Sequence, residues 1–97
     1  MLGVAKLCHR PLRGLPFGTH AQFFFADGSS VGFFEDSQLR ADDHAQIAKY
    51  AQCAPLDDTR LRRAVAKVGH PGRFGYLGNN CHDYARRVLD EYEGAGA

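Results

Sequence analysis

The stretch Asn79-Asn80-Cys81-His82-Asp83-Tyr84 puts a thiol at the start of an amphipathic run. A cysteine in the first turn of a helix faces unpaired backbone N–H groups and the positive end of the helix dipole, and both favour thiolate over thiol. The same amides stabilise the oxyanion that forms when sulfur attacks a carbonyl. Free cysteine is also among the most commonly buried residue types, so the position alone does not make Cys81 a nucleophile.

A nucleophilic thiol needs a base, and the base needs an orienting group. There are five histidines. His82 adjoins Cys81 on the helix and points about 100° away from it. His9 sits beside a proline-bounded loop, His44 in an acidic stretch and His70 before Pro71, and each reads as a surface residue. His20 differs because it opens an aromatic-rich strand. If Asp27-Gly28 is a two-residue turn, His20 lies opposite Glu35; a three-residue turn with a bulge brings Asp36 there instead. Either carboxylate fixes the imidazole tautomer and stabilises the charged ring. An edge-strand ion pair with no catalytic role is the competing reading.

These residues must be held by a small frame. Val4 to Cys8 alternates as a short strand that ends by Pro11, and Gly14, Pro16 and Gly18 mark a loop. His20–Phe25 and Val31–Glu35 flank the Asp-Gly pair and predict a hairpin. Ser37 to Pro55 reads as a mixture of loop and strand, with helix as the alternative over His44 to Cys53. Asp58 or Thr59 caps a helix with Leu61, Ala64, Val65 and Val68 on one face, and Gly69 and Pro71 stop it. Asn80 caps the last helix, whose inner stripe is Cys81, Tyr84, Ala85, Val88 and Tyr92, with Arg86–Asp90 and Arg87–Glu91 as outward pairs. Strands early and helices late predict a single α+β domain over residues 1–97, a small antiparallel sheet packed against helices, with a frayed tail at 94–97.

Twelve Lys and Arg against eleven Asp and Glu give a formal charge of +1, which provides no broad field for nucleic acid or an anionic membrane. No apolar run approaches the roughly 20 residues of a membrane span. The start carries no signal-peptide pattern, and export by another route and origin in a longer chain both fit, so localisation is left unassigned. Three cysteines are an odd number, so at least one thiol is free or paired with another molecule. A Cys53–Cys81 disulfide competes with the nucleophile reading, because it would consume the sulfur. Cys8-His9 and Cys81-His82 are adjacent pairs, not the spaced ligands of structural zinc, and no phosphate loop or dinucleotide fingerprint is present, so no metal or cofactor is expected.

Tyr76-Leu77-Gly78-Asn79-Asn80-Cys81-His82-Asp83-Tyr84 and the helix after it resemble the nucleophile helix of circularly permuted papain-like enzymes: lecithin:retinol acyltransferase-like proteins, PPPDE deubiquitinase-like peptidases and permuted NlpC-type hydrolases. In them a catalytic histidine on a strand precedes the cysteine, the place His20 takes here. The resemblance implies a permuted papain-like fold and acyl transfer through a thioester, with Cys81 as nucleophile and His20 as base. The third polar residue has no clean match, and Glu35 or Asp36 stands in for it. Asn80 or Tyr76 adds a side-chain donor to the oxyanion. The implied substrate is an amide in a peptide or in peptidoglycan, with a lipid ester as the alternative and a non-catalytic binding domain as a third reading. Similar small domains serve as bacterial effector toxins, which implies an immunity or inhibitor protein as partner.

Overall fold

The computed structural model describes residues 3–12 and 18–94. Gly14 and Pro16, expected to mark a loop, lie outside the described residues, as does the tail beyond Gly94. The described chain is an α+β unit in which a five-stranded antiparallel open sheet packs against two helices. The strands are β1 (Val4–Pro11), β2 (Thr19–Phe24), β3 (Ser30–Phe33), β4 (Leu39–Arg40) and β5 (Ala51–Asp57), in the order β4-β3-β2-β1-β5. A 3-10 helix (His44–Lys49) leads into β5, and the helices α1 (Asp58–Val68) and α2 (Cys81–Gly94) follow. Gly94, expected in a frayed tail, closes α2.

Alternation along the strands sorts the side chains onto two faces. Ala5 and Leu7 of β1, Ala21 and Phe23 of β2 and Phe33 of β3 form one core with Leu61 and Ala64 of α1 and Tyr84, Ala85 and Val88 of α2. The Tyr84 ring stands edge-on to Phe23, 6.4 Å between centroids. Its hydroxyl is buried with no hydrogen-bond partner among the described residues, and burial pushes its pKa up to about 12. Tyr84→Phe should therefore be neutral or raise stability by about 1 kcal/mol, because it removes an unsatisfied polar group and keeps the ring. A urea midpoint below that of the wild type would contradict this.

Both early hairpins turn on three residues. Gly28 donates to the carbonyl of Phe25 and takes a φ of 90°, so Ala26-Asp27-Gly28 form the first loop and Phe24 pairs with Ser30. The register is thus shifted by one residue from a two-residue Asp-Gly turn, but away from Asp36 and not towards it: Phe23 pairs with Val31, and His20 stacks on Phe34. A second loop of the same form follows at Glu35-Asp36-Ser37, where Ser37 has a φ of 64° and Asp36 accepts from the Gln38 amide at 3.0 Å. Glu35 and Asp36 therefore lie in a turn and not on β3.

Asp57, one residue before the expected cap, accepts from the Arg60 amide at 2.8 Å and starts α1. Asp58 is taken elsewhere: it accepts from the Ala26 amide and from Arg62, tying α1 to the first hairpin loop. On α2, Glu91 pairs with Lys67 of α1 at 3.3 Å, and neither expected outward pair forms among the described residues. The disulfide is Cys8–Cys53, not Cys53–Cys81. Adjacent antiparallel strands β1 and β5 bring the two Cα atoms to 4.1 Å, whereas Cys81 stays free and buried at the head of α2.

Candidate active site

α2 begins with a reciprocal cap. Asn80 Oδ1 accepts from the backbone amides of His82 and Asp83, each at 3.0 Å, and Asp83 Oδ2 accepts from the Asn80 amide at 3.0 Å. This pairing satisfies three of the donors that a helix start leaves open. Asn80 Nδ2 donates to the Tyr76 carbonyl at 2.9 Å. Both ends of the Asn80 side chain are thus spent on holding the chain, which corrects the expectation that it points at an oxyanion. Cys81 is the first residue inside this cap and is 5% exposed.

The Cys81 thiol donates to the Thr19 carbonyl at 3.8 Å. Burial pushes its pKa up, and the amides of Ala21, Cys81 and His82 pull it back only in part. This reverses the expectation of an activated thiolate, because desolvation at this helix start outweighs the amides around it. Alkylation by iodoacetamide should be slow at pH 7 and should keep rising above the roughly 8.5 of an ordinary thiol. Labelling at pH 7 faster than that of the unfolded chain would refute it.

His20 is 3% exposed, with its ring stacked 4.3 Å from that of Phe34. It lies on the sheet face away from the helices, on the same side as Gln22 two residues on. Gln22 is fully buried, and its Nε2 donates to Ser30 Oγ at 3.0 Å and to the Arg40 carbonyl at 3.1 Å. A carbonyl can only accept, so the amide nitrogen must face Arg40 and the oxygen must face His20. His20 Nε2 therefore donates to Gln22 Oε1, at 2.7 Å, and Nδ1 keeps its lone pair. Burial lowers the His20 pKa, which favours this neutral form.

Gly32 makes the pair possible. A Cβ at that position would stand 1.8 Å from Gln22 Oε1 and 2.8 Å from His20 Nε2. The outer side of this face is closed by a buried network, in which Arg10 Nε donates to Asp42 and the Tyr50 hydroxyl donates to the same carboxylate at 2.6 Å.

Cys81 and His20 line one cavity of about 190 Å³, together with Thr19, Phe33, Phe74 and Tyr76. They reach the start of β2 from its two sides, Cys81 against the backbone and His20 from the opposite face, and no hydrogen bond joins them. Tyr76 stands at the rim, 61% exposed and edge-on to Phe74 at 5.0 Å. Glu35 also lines the cavity, but it is exposed and makes no hydrogen bond to His20; Asp36 instead binds Arg40 at 3.0 Å. Neither carboxylate orients the imidazole, because the second hairpin loop carries both off the strand. Gln22 holds that position instead. The sequence signal for it was a polar residue two places after His20 within a run of apolar ones.

His82, set aside because of its helix angle, also belongs to the site. Its Nε2 donates to the Thr19 carbonyl at 2.7 Å, and its ring stacks on His9 at 5.7 Å, binding the head of α2 to the start of β2. Among the described residues no group of three or more His, Cys, Asp or Glu side chains is placed to hold a metal ion. A free thiol at a helix start and an imidazole of fixed tautomer, both facing one cavity, have the parts for general-base nucleophilic chemistry. No family model matches the chain, and neither does any curated protein or solved structure.

Proposed function

We propose that the protein is a cysteine hydrolase that cleaves an amide bond through a thioester, on a fold of the permuted papain-like kind. The observation that carries the reading is the one cavity that Cys81 and His20 both line, with His20 Nε2 held by Gln22 so that Nδ1 keeps its lone pair. In the free protein the thiol rests on the Thr19 carbonyl, so attack begins with rotation of the Cys81 side chain away from it. His20 Nδ1 then takes the thiol proton and Sγ adds to the substrate carbonyl. The Cys81 N–H, which the Asn80–Asp83 cap leaves open, helps hold the oxyanion. The imidazolium gives its proton to the leaving amine, and the C–N bond breaks. Water, deprotonated by the same nitrogen, cleaves the thioester and restores the thiol.

Peptides and peptidoglycan fragments are the substrates this reading favours, and a bacterial effector toxin with a neutralising immunity protein is the setting it suggests. The apolar wall of Leu12, Phe33 and Phe74 favours a lipid ester as the second reading. Mass spectrometry of the protein after exposure to peptides, to peptidoglycan fragments and to phospholipid vesicles tests both. An acyl group on Cys81 names the class by its mass, and Cys81→Ala should reduce turnover to background. Turnover that survives Cys81→Ala would end the proposal.

A further inference from the structure

The Thr19 carbonyl at the start of β2 takes two donors from the head of α2. His82 Nε2 reaches it at 2.7 Å and the Cys81 thiol at 3.8 Å. The strands beside it offer little. Pro11, its partner across β1, has no N–H to give. Continued at the register of Phe23 with Val31, the β2–β3 ladder would set Glu35 opposite Thr19, but β3 ends at Phe33 and Glu35 lies in the second hairpin loop. We infer, on the hydrolase reading above, that His82 is a positioning residue for the nucleophile: its N–H keeps the Thr19 carbonyl satisfied when the Cys81 thiol turns away to react.

A carbonyl only accepts, so His82 Nε2 carries the hydrogen, and it does so in the neutral and the charged ring alike. Thr19 Oγ1, 3.2 Å from the same nitrogen, accepts the second arm of that bond. The ring is held at this place by its stack on His9, with the two planes 12° apart.

Of the two donors the thiol is the weaker, because S–H is a poor hydrogen-bond donor. With His82 present, its release breaks one weak bond and leaves the oxygen paired. Without the His82 donor, release leaves a half-buried carbonyl with no partner, which costs more than the bond itself contributes. The thiol is then held more firmly at rest. The uncompensated oxygen beside Sγ also disfavours the thiolate. A role in packing alone would act with the opposite sign. Loosening the head of α2 would uncover a thiol that is now 5% exposed, and its reactions would quicken.

The test compares the wild type, His82→Phe and His82→Gln in the oxidised protein, where the Cys8–Cys53 bridge leaves Cys81 as the free thiol. Phenylalanine keeps a ring against His9 and cover over the carbonyl but drops the donor; glutamine restores an N–H at similar reach. Alkylation by iodoacetamide is timed across the pH range in which the thiol ionises. His82→Phe should react about fivefold more slowly, the lower end of the effect of an unpaired acceptor, and His82→Gln should return to within about twofold of the wild type. The pH profile of His82→Phe should move to higher pH. A rate in His82→Phe equal to or above that of the wild type, or a slowing that His82→Gln does not reverse, overturns the inference. Turnover of peptides and peptidoglycan fragments by the same three proteins separates it from the hydrolase reading. The same order in turnover supports both. The alkylation order without turnover keeps the role of His82 at the thiol and removes the hydrolase, and turnover without the alkylation order does the reverse.

Discussion

Gly32→Ala should reduce hydrolysis about a hundredfold or more while the sheet and helices remain. The added methyl would stand 1.8 Å from Gln22 Oε1 and 2.8 Å from Gln22 Cδ, so the amide must move. Its retreat is blocked, because Gln22 is fully buried and its nitrogen is fixed by Ser30 and the Arg40 carbonyl. Overpacking of this kind costs about 1–3 kcal/mol. The larger effect falls on His20, which loses the acceptor that fixes its tautomer, and displacement of a reacting group by about 1 Å costs on the order of a hundredfold in rate. Gln22→Met, which keeps volume and drops the acceptor, should reproduce the loss of activity with less loss of stability. Gly94→Ala is the matched control, since a Cβ there meets nothing within 4 Å. Turnover of Gly32→Ala within threefold of the wild type would show that the Gln22 contact is not needed.

The largest loss of stability should come from Asp42→Ala. The Arg10 and Asp42 side chains are only 8% and 2% exposed, and Asp42 also accepts from Tyr50. Removing the carboxylate leaves a buried guanidinium uncompensated, which costs about 3 kcal/mol or more. For a domain of this size the melting temperature should fall by roughly 12–24 °C. The double variant Arg10→Met with Asp42→Leu should recover much of that loss, because it removes both charges and keeps apolar volume. A melting temperature for Asp42→Ala within 3 °C of the wild type would mean that the network contributes little. Tyr50 stands edge-on to His20 at 6.5 Å, so the single variant should also loosen one side of the imidazole.

The parts of this site differ in how openly the sequence displays them. α2 was legible in its start and its buried face but not in its end or its charge pairs, since Asn80 before a thiol and a stripe at Tyr84, Ala85 and Val88 specify a cap and a buried side that the structure reproduces. The first hairpin was legible as a hairpin but not in its register. An Asp-Gly pair fits either a two-residue turn or the end of a three-residue one, and the difference moves every partner by one position. The second loop was hidden because Ser37, and not a glycine, takes the positive φ there. That misreading led to Glu35 and Asp36 as orienting groups. Gln22 could have been found from alternation alone, since residues two apart on a strand share a face. The odd cysteine count required one free thiol, but which sulfur stays free depends on β5 lying beside β1, a pairing between segments about 45 residues apart that no local pattern carries.

That strand pairing has a consequence for handling the protein. Two of its three sulfurs quench each other across β1 and β5, so an oxidised chain has one titratable equivalent, and it belongs to α2. A reducing buffer raises the count to three, and one of the sulfurs it frees, Cys8, stands across from Gln22 on β2. A thiol count in reductant therefore mixes Cys81 with the bridge, and the two are to be assayed separately.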